Sequence, residues 1–476
     1  MIKFSELVRE ISYQDIVHGV DFDIEGVSNN SQKIAENFIF VAVKGSIFDG
    51  HKYIDEAIKK GAKAVIHTEE IAHREGISYL RVEDSRKTLA DISNIITDYP
   101  SRKLKLVGVT GTNGKTTTSK LVAYLIEKLF GKCANLGTDG GVFGKEIVPT
   151  SNTTPDITEI NDFLCKCLEN DIKYATLEAS SHGLDQKRLE GVRFEVGIFN
   201  NLSTEHLDYH KTMENYFDSK MKLLENSEMT VANMDDPWTE KVIKKFPHTI
   251  TFGKSEKAHV RATEIVKDDK GTSFKIDGVN FFINTIADFE LYNYLAAVTT
   301  LKIMGASLEE ISKVIGKFPG VGSRFERIEN DKNLNLIVDF AHTPRAFEEI
   351  FKSLPEDSKK IAVFGIQGDR NTEFRNLIGK IVSDYGVYAI ITTDDPKFDT
   401  FENISKDIVA GMSENYGDYS LVKDRKDAIK AAIAMAKEDD FVLFMGKGEE
   451  NFIKLNGNEK TPYSEKEAIR EALESL

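Results

Sequence analysis

An apolar run, Leu104 to Val109, leads into Thr110-Gly111-Thr112-Asn113-Gly114-Lys115-Thr116-Thr117, and a helix-like stretch continues from Thr116 to Phe130. The run reads as a buried strand, and the turn after it is punctuated by glycine. A strand, a Gly-rich turn and Lys-Thr at a helix start form a cradle for a nucleotide triphosphate. Backbone N–H groups close on phosphate oxygens, Lys115 reaches the β/γ-phosphates, and the Thr116 hydroxyl can ligate Mg²⁺. Gly111, Thr112, Asn113, Gly114, Lys115, Thr116 and Thr117 are therefore candidate ATP contacts. The spacing departs from the standard Walker A, because Val109 stands where its first glycine would be. A Gly-rich turn beside a solvated lysine is the competing reading, and the strand-before, helix-after context disfavours it.

At 476 residues the length suggests roughly three domains. The expected segments are 1–102, with short strands at Phe38–Val43 and Ala64–His67; 103–327, beginning with the phosphate loop; and 328–476. Tyr99-Pro100-Ser101 reads as the first linker and Phe318-Pro319-Gly320-Val321-Gly322 as the second. In the last segment apolar runs at Leu336–Phe340, Ile361–Gly365, Tyr388–Thr392 and Phe441–Phe444 alternate with helical patterns. That alternation predicts an α/β fold with a parallel, doubly wound sheet. Ligands of such sheets bind at the carboxyl ends of strands, where Asp339, His342, Asp394 and Gly446 fall.

No apolar run approaches the ~20 residues that span a bilayer. Met1 to Glu10 alternates charged and apolar residues and lacks a signal-peptide core, so a cytoplasmic protein is expected. Three cysteines, Cys133, Cys165 and Cys167, make no disulfide framework and no metal site. A formal charge of -15 argues against a nucleic-acid partner.

In the middle segment a strand at Tyr174–Leu177 ends in Glu178-Ala179-Ser180-Ser181-His182-Gly183. A carboxylate at a strand end beside a phosphate loop is placed for a nucleotide-bound Mg²⁺, and a salt-bridged surface Glu is the alternative. Asn200 to His210 follows, with His206 and His210 four residues apart. Spacing alone leaves each histidine open between a ligand and a partnered structural residue.

The combination Gly-x-Thr-Gly-Thr-Asn-Gly-Lys-Thr, Glu-Ala-Ser-Ser-His-Gly-Leu and Glu-His-Leu-Asp-Tyr-His resembles the Mur ligases, the ATP-dependent amide-forming enzymes of peptidoglycan precursor synthesis. The resemblance runs the length of the chain. It implies three domains: a small α/β domain for the UDP-muramoyl substrate, a central P-loop ATPase domain, and a Rossmann-like domain for the incoming amino acid. Ser31, within Asn30-Ser31-Gln32, and Asp49-Gly50-His51 match the uridine region, with Gln32 replacing a common arginine. Thr153, Thr154, Ser180, Gln186 and Arg188 match the muramoyl-peptide pocket. Thr116, Glu178 and His206 map onto magnesium ligands, and Lys220 onto a carbamylated lysine. Lys115, Glu178, His206 and Lys220 are the implied catalytic set. Asn293, Arg324, Asp339 and His342 match nucleotide contacts. Glu290 replaces an asparagine, and Arg345 stands where an acid is usual.

The resemblance also implies that the third amino acid is read by Asp394, Asp395, Lys397, Gly446 and Glu450. Where related enzymes carry Asp-Asn-Pro-Arg, this chain has Asp394-Asp395-Pro396-Lys397, and Glu449 replaces a histidine. Lys397 can hold a distal carboxylate only as a point charge, without the arginine fork. Asp395 repels a carboxylate or attracts an amine. The expected partners are UDP-N-acetylmuramoyl-L-Ala-D-Glu and a diamino acid, diaminopimelate or an analogue such as lanthionine, with L-lysine close behind. ATP and Mg²⁺ are the expected cofactors, and a monomer is expected. A D-Ala-D-Ala-adding ligase or a folylpolyglutamate synthase would share the ATP core. A GTPase would need an Asn-Lys-x-Asp motif, which the chain lacks.

Overall fold

The computed structural model describes residues 2–45, 48–268, 270–457 and 459–475. They form two compact units. One takes in the chain up to Glu264, Phe274–Phe281 and Tyr292–Ile315; the other takes in Ile265–Ser273, Phe282–Leu291 and the chain from Gly316.

The first unit holds two sheets. Strands β1 (Asp15–Val17), β2 (Gly26–Ser28), β3 (Phe38–Val41), β4 (Ala62–His67) and β5 (Ser78–Arg81) lie in the order β1-β5-β4-β3-β2, with only β1 antiparallel to its neighbour. The larger sheet comprises β6 (Lys105–Thr110), β7 (Cys133–Gly137), β8 (Gly140–Phe143), β9 (Glu146–Val148), β10 (Tyr174–Glu178), β11 (Phe194–Phe199), β12 (Ser227–Asn233), β13 (Ile250–Gly253) and β14 (Val260–Arg261). Its order is β14-β13-β12-β11-β6-β10-β7-β8-β9. Strand β6 runs parallel between β10 and β11, in register Gly108 to Leu177 and Gly108 to Gly197. Leu106, Val107 and Val109 are fully buried, as a strand covered on both faces requires.

Leu7 and Ile92 belong to the same apolar core as Leu106, Ile160 and Ala175. Packing therefore runs straight through Tyr99-Pro100-Ser101. There the chain bends, with Tyr99 at φ 47° and a 3₁₀ turn over Pro100–Lys103, but the core does not part. Strands β15 (Thr263–Asp268), β16 (Gly271–Ile276) and β17 (Val279–Ile283) follow where the chain passes between the units.

In the second unit, β18 (Glu326–Ile328), β19 (Asn335–Asp339), β20 (Lys360–Phe364), β21 (Tyr388–Ile391), β22 (Tyr419–Leu421) and β23 (Phe441–Met445) lie in the order β18-β19-β23-β20-β21-β22. All neighbours but β18 and β19 are parallel. Apolar layers cover both faces, one around Phe347, Phe364 and Ile378 and one around Ile361, Ile429 and Phe444. The hairpin β24 (Phe452–Leu455) and β25 (Glu459–Pro462) follows. Phe318–Gly322 lies just after Gly316, where the last segment of this unit begins. Gly322 lies in a tight turn closed by the Arg324 amide on the Val321 carbonyl at 3.0 Å.

Candidate active site

The phosphate loop, residues 111–114, joins β6 to the helix Lys115–Leu129. Gly114 sits at φ 80°, a left-handed conformation that glycine adopts without strain. A Cβ there would meet the Asn293 carboxamide oxygen at 2.2 Å. The loop is clamped by the segment after β11. The Thr112 amide donates to the Asn201 carbonyl at 3.0 Å, the Asn113 amide to Asn201 Oδ1 at 2.9 Å, and the Ser203 amide to Thr112 Oγ1 at 2.9 Å. Asn293 accepts from Thr118 Oγ1 at 3.1 Å, and Thr118 in turn accepts from Asn200.

Glu178, at the carboxyl end of β10, is buried and gathers hydroxyl donors. Thr116 Oγ1 reaches Oε2 at 2.9 Å, Thr138 Oγ1 reaches it at 3.2 Å, and the Thr138 amide reaches Oε1 at 3.0 Å. Gly137 makes this approach possible, since a Cβ there would lie 2.0 Å from Glu178 Oε1. Thr138 also pairs with Thr153 at 3.2 Å. Thr154 donates to the Glu178 carbonyl at 2.7 Å and accepts from the Ser180 amide at 2.9 Å. Arg188 donates to the Thr154 carbonyl and to Gln186 Oε1, each at 2.7 Å. One polar network thus joins Thr116 and Glu178 to Thr153, Thr154, Ser180, Gln186 and Arg188.

Lys115 and Lys220 converge on one atom: their Nζ donate to the Gly111 carbonyl at 3.0 and 2.8 Å. Lys220 is 1% exposed and lies 4.6 Å from the Tyr216 ring centroid. Burial, and then the charge of Lys115, push its pKa well below the ordinary lysine value. His206, at φ 55°, stands edge-on to His182 at 4.8 Å and 3.8 Å from Glu205, and burial lowers its pKa despite Glu205. His210 is the structural member of the pair. Ser181 and Ser219 hydroxyls meet its two nitrogens at 3.0 and 3.2 Å, and burial lowers its pKa to about 4.

Beside the smaller sheet of the first unit, Ser31 and Gln32, on a 3₁₀ turn, both reach Glu56 of the helix Ile54–Lys59, at 3.3 and 2.5 Å, and Lys60 donates to Gln32 at 2.8 Å.

The second unit carries its own polar centre. Asp339 ends β19 and accepts from the Phe325 and Ala341 amides at 2.7 and 2.6 Å; burial raises its pKa against the pull of Arg324. Arg324 lies 4.8 Å from the Phe340 ring centroid, and His342 Nδ1 meets the Phe340 carbonyl at 3.0 Å. The Gly446 amide donates to the Asp339 carbonyl at 3.0 Å, tying this turn to the loop after β23. In that loop, fully buried Lys447 stands 2.8 Å from Asp395 and from Glu450 and 3.5 Å from Asp394. Lys397 pairs with Asp369 at 2.5 Å. Behind them, buried Arg425 grips Glu465 through Nε and Nη2 at 2.9 and 2.6 Å.

Models of three Mur ligase domains match the chain: the family's catalytic domain over residues 23–95, the middle domain over 109–301, and the glutamate ligase domain over 323–448. UDP-N-acetylmuramoyl-L-alanyl-D-glutamate–2,6-diaminopimelate ligase 1 of Clostridium acetobutylicum is 35% identical over 100% of both chains. The ligase of the same name in Clostridioides difficile is 34% identical over 100% of both. The chain belongs to the Mur ligase family. A solved structure titled as a UDP-N-acetylmuramoyl-L-alanyl-D-glutamate–2,6-diaminopimelate ligase superposes with TM-score 0.70 at 29% identity, covering 95% of each chain. MurF of Thermotoga maritima, solved with ADP, shares the fold at TM-score 0.63 and 22% identity, covering 94% of this chain and 97% of its own. As a Mur ligase the chain is an ATP-dependent, amide-forming enzyme.

Within this Mur ligase the loop residues Gly111 to Thr117, with Asn293, surround one helix start, and Thr116 and Glu178 share one network with Thr153, Thr154, Ser180, Gln186 and Arg188, whereas His206, Lys220 and Ser31 lie outside it. Asp395 is placed differently from the sequence reading. It is fully buried, and Oδ1 accepts from Lys447 and from the Lys454 amide at 2.8 and 2.9 Å, so it presents no surface to a ligand. Sequence reasoning passed over Thr138, Asn201 and Lys447. Gly137-Thr138 at a strand end was the available signal for the first of these.

Proposed function

We propose that this chain joins UDP-N-acetylmuramoyl-L-Ala-D-Glu to the amine of a diamino acid, diaminopimelate by analogy with the named relatives, in the cytoplasm. The network from Thr116 through Glu178 and Thr138 to Thr153, Thr154, Ser180 and Arg188 carries this reading. It lets one set of side chains hold a nucleotide and an anionic acceptor side by side.

A free carboxylate is a poor acyl donor. The glutamyl γ-carboxylate oxygen attacks the γ-phosphorus of ATP, the bond to the β-phosphate oxygen breaks, and ADP leaves. The amine then attacks the acyl carbon, loses a proton, and phosphate departs. Lys115 and the loop amides offset charge on the transferring group. Arg188 orients a substrate anion through its fork. The Thr116 hydroxyl and Glu178 carboxylate, 2.9 Å apart, are hard oxygen donors that suit Mg²⁺ and would hold it, and the His206 imidazole would add a nitrogen ligand. When bound, Mg²⁺ supplies charge neutralisation at the phosphates. A neutral, buried Lys220 amine is the form that adds CO₂, releasing one proton, and the resulting carbamate would put an anion beside Lys115 where the uncharged amine stood. Asn293, Arg324, Asp339 and His342 serve the nucleotide in this reading.

Substrate labelled with ¹⁸O in the γ-carboxylate tests the chemistry. Transfer of one ¹⁸O to the released phosphate is expected, and phosphate free of label would exclude the acyl phosphate.

A further inference from the structure

Asp185 ends the helix Ser181–Asp185, and its two carboxylate oxygens take different donors. Oδ1 accepts from Lys222 Nζ at 3.0 Å, and Oδ2 accepts from the Tyr209 hydroxyl at 2.9 Å. Burial opposes the Asp185 charge, but these two donors outweigh it and hold the carboxyl below its usual range. Burial, with Asp185 beside it, holds the Tyr209 phenol above its usual value, so Tyr209 keeps its proton. A phenol has one proton to donate. With that proton committed to Asp185, the Tyr209 oxygen acts as an acceptor, and Gln186 Nε2 donates to it at 3.4 Å. The other end of the amide, Gln186 Oε1, then faces Arg188. Arg188 Nη2 donates to that oxygen and Nη1 to the Thr154 carbonyl, each at 2.7 Å. The Tyr209 ring packs against the His182 and His210 rings, with centroids 4.3 and 4.8 Å away. The ring is held, and its hydroxyl hydrogen is what can turn.

We infer that Asp185 is a positioning residue for the UDP substrate: by claiming the Tyr209 proton it fixes which way the Gln186 amide faces, and so holds Arg188 in place for the substrate's anionic group. This rests on the reading above that Gln186 and Arg188 receive the muramoyl peptide. Asp185→Asn reverses the chain of donors. One oxygen remains at position 185, and the Lys222 ammonium claims it as the stronger donor. The new NH₂ group then faces the Tyr209 oxygen. The Tyr209 proton turns to Gln186 Oε1, and the amide is left to meet Arg188 with its own NH₂. Two donors then face each other, and the guanidinium loses its anchor.

Steady-state kinetics on the full chain, with ATP, Mg²⁺ and diaminopimelate saturating, would be paired with calorimetric binding of UDP-N-acetylmuramoyl-L-Ala-D-Glu. Asp185→Asn should raise KM and Kd for that substrate about tenfold, with kcat within about twofold of the parent. Lys222→Met keeps the bond from Tyr209 to Asp185 and should leave both constants within about twofold. Adding Lys222→Met to Asp185→Asn frees the remaining oxygen to turn to Tyr209, and should bring Kd back to within about threefold of the parent. A merely structural role would give no such rescue, since the second substitution removes one more contact. Unchanged KM and Kd in folded Asp185→Asn, or a double variant that binds no better than the single one, would overturn the inference. Tyr209→Phe removes the proton and leaves the Asp185–Lys222 pair alone. It should raise Kd at least about threefold, and an unchanged Kd would overturn the inference whether or not Asp185→Asn folds. No binding of the UDP substrate to the parent enzyme would instead sink the reading of the pocket, and the inference with it.

Discussion

Two lysines share the Gly111 carbonyl, yet they carry opposite expectations. Lys115 comes from the helix that starts at the phosphate loop, and its charge is needed at the phosphates. Lys115→Ala should cut phosphate release by at least about a hundredfold while leaving the circular dichroism spectrum intact. Turnover near the parent rate would remove Lys115 from the chemistry. Gly137→Ala tests the neighbouring geometry. Its Cβ would fall 2.0 Å from Glu178 Oε1, so the carboxylate must move away from Thr116. We expect a loss of about 1–3 kcal/mol in urea unfolding, together with weakened Mg²⁺ dependence of activity. At this scale the sequence was readable where chemistry is local. Lys115 and Thr116 sit beside their glycines, whereas Thr138 reaches Glu178 only because β7 pairs with β10, 40 residues on. Asp395 read as a group facing the amino acid because aspartate is seldom fully buried without a partner. That partner, Lys447, lies 52 residues away.

Among the elements, the apolar runs translated directly into strands, since a parallel sheet covered on both faces needs unbroken hydrophobic stretches. Leu336–Phe340 became β19, and Phe441–Phe444 became β23. The antiparallel β8 and β9 and the β24–β25 hairpin were not legible, being short and partly polar. Arg425 at the start of its helix and Glu465 at the start of the last helix form a buried bidentate pair with side-chain exposures of 1% and 0%. Glu465→Gln leaves a buried guanidinium without its counter-charge and should cost about 3–5 kcal/mol in denaturant unfolding. Glu290, in the helix Asp288–Ile303, has its pKa raised by burial from 4.5 to about 8. The folded state therefore holds this proton more tightly than the unfolded chain. Stability is full below pH 4.5 and declines up to about pH 8, by at most about 1.4 kcal/mol per pH unit. Glu290→Gln should flatten that decline in thermal melts recorded between pH 5 and 8.

For the whole molecule, the order of motifs foretold three functional segments, while packing gives two compact units. The first two segments share one apolar core through Leu7, Ile92 and Leu106, and no composition signal in a linker reports whether the cores beside it merge. A ligand that binds only the folded state stabilises it by mass action, about 3 kcal/mol at a hundredfold excess over Kd. ADP with Mg²⁺ should therefore raise the melting temperature of the parent enzyme and do so much less for Lys115→Ala. The central claim is an ATP-dependent amide ligation onto a muramoyl dipeptide. It is tested most directly by supplying ATP, Mg²⁺, UDP-N-acetylmuramoyl-L-Ala-D-Glu and diaminopimelate and following phosphate and product mass together. The account predicts phosphate release that requires both acceptors, with one UDP-muramoyl tripeptide formed per phosphate. Release that ignores the amino acid, or no tripeptide at any enzyme concentration, would contradict it.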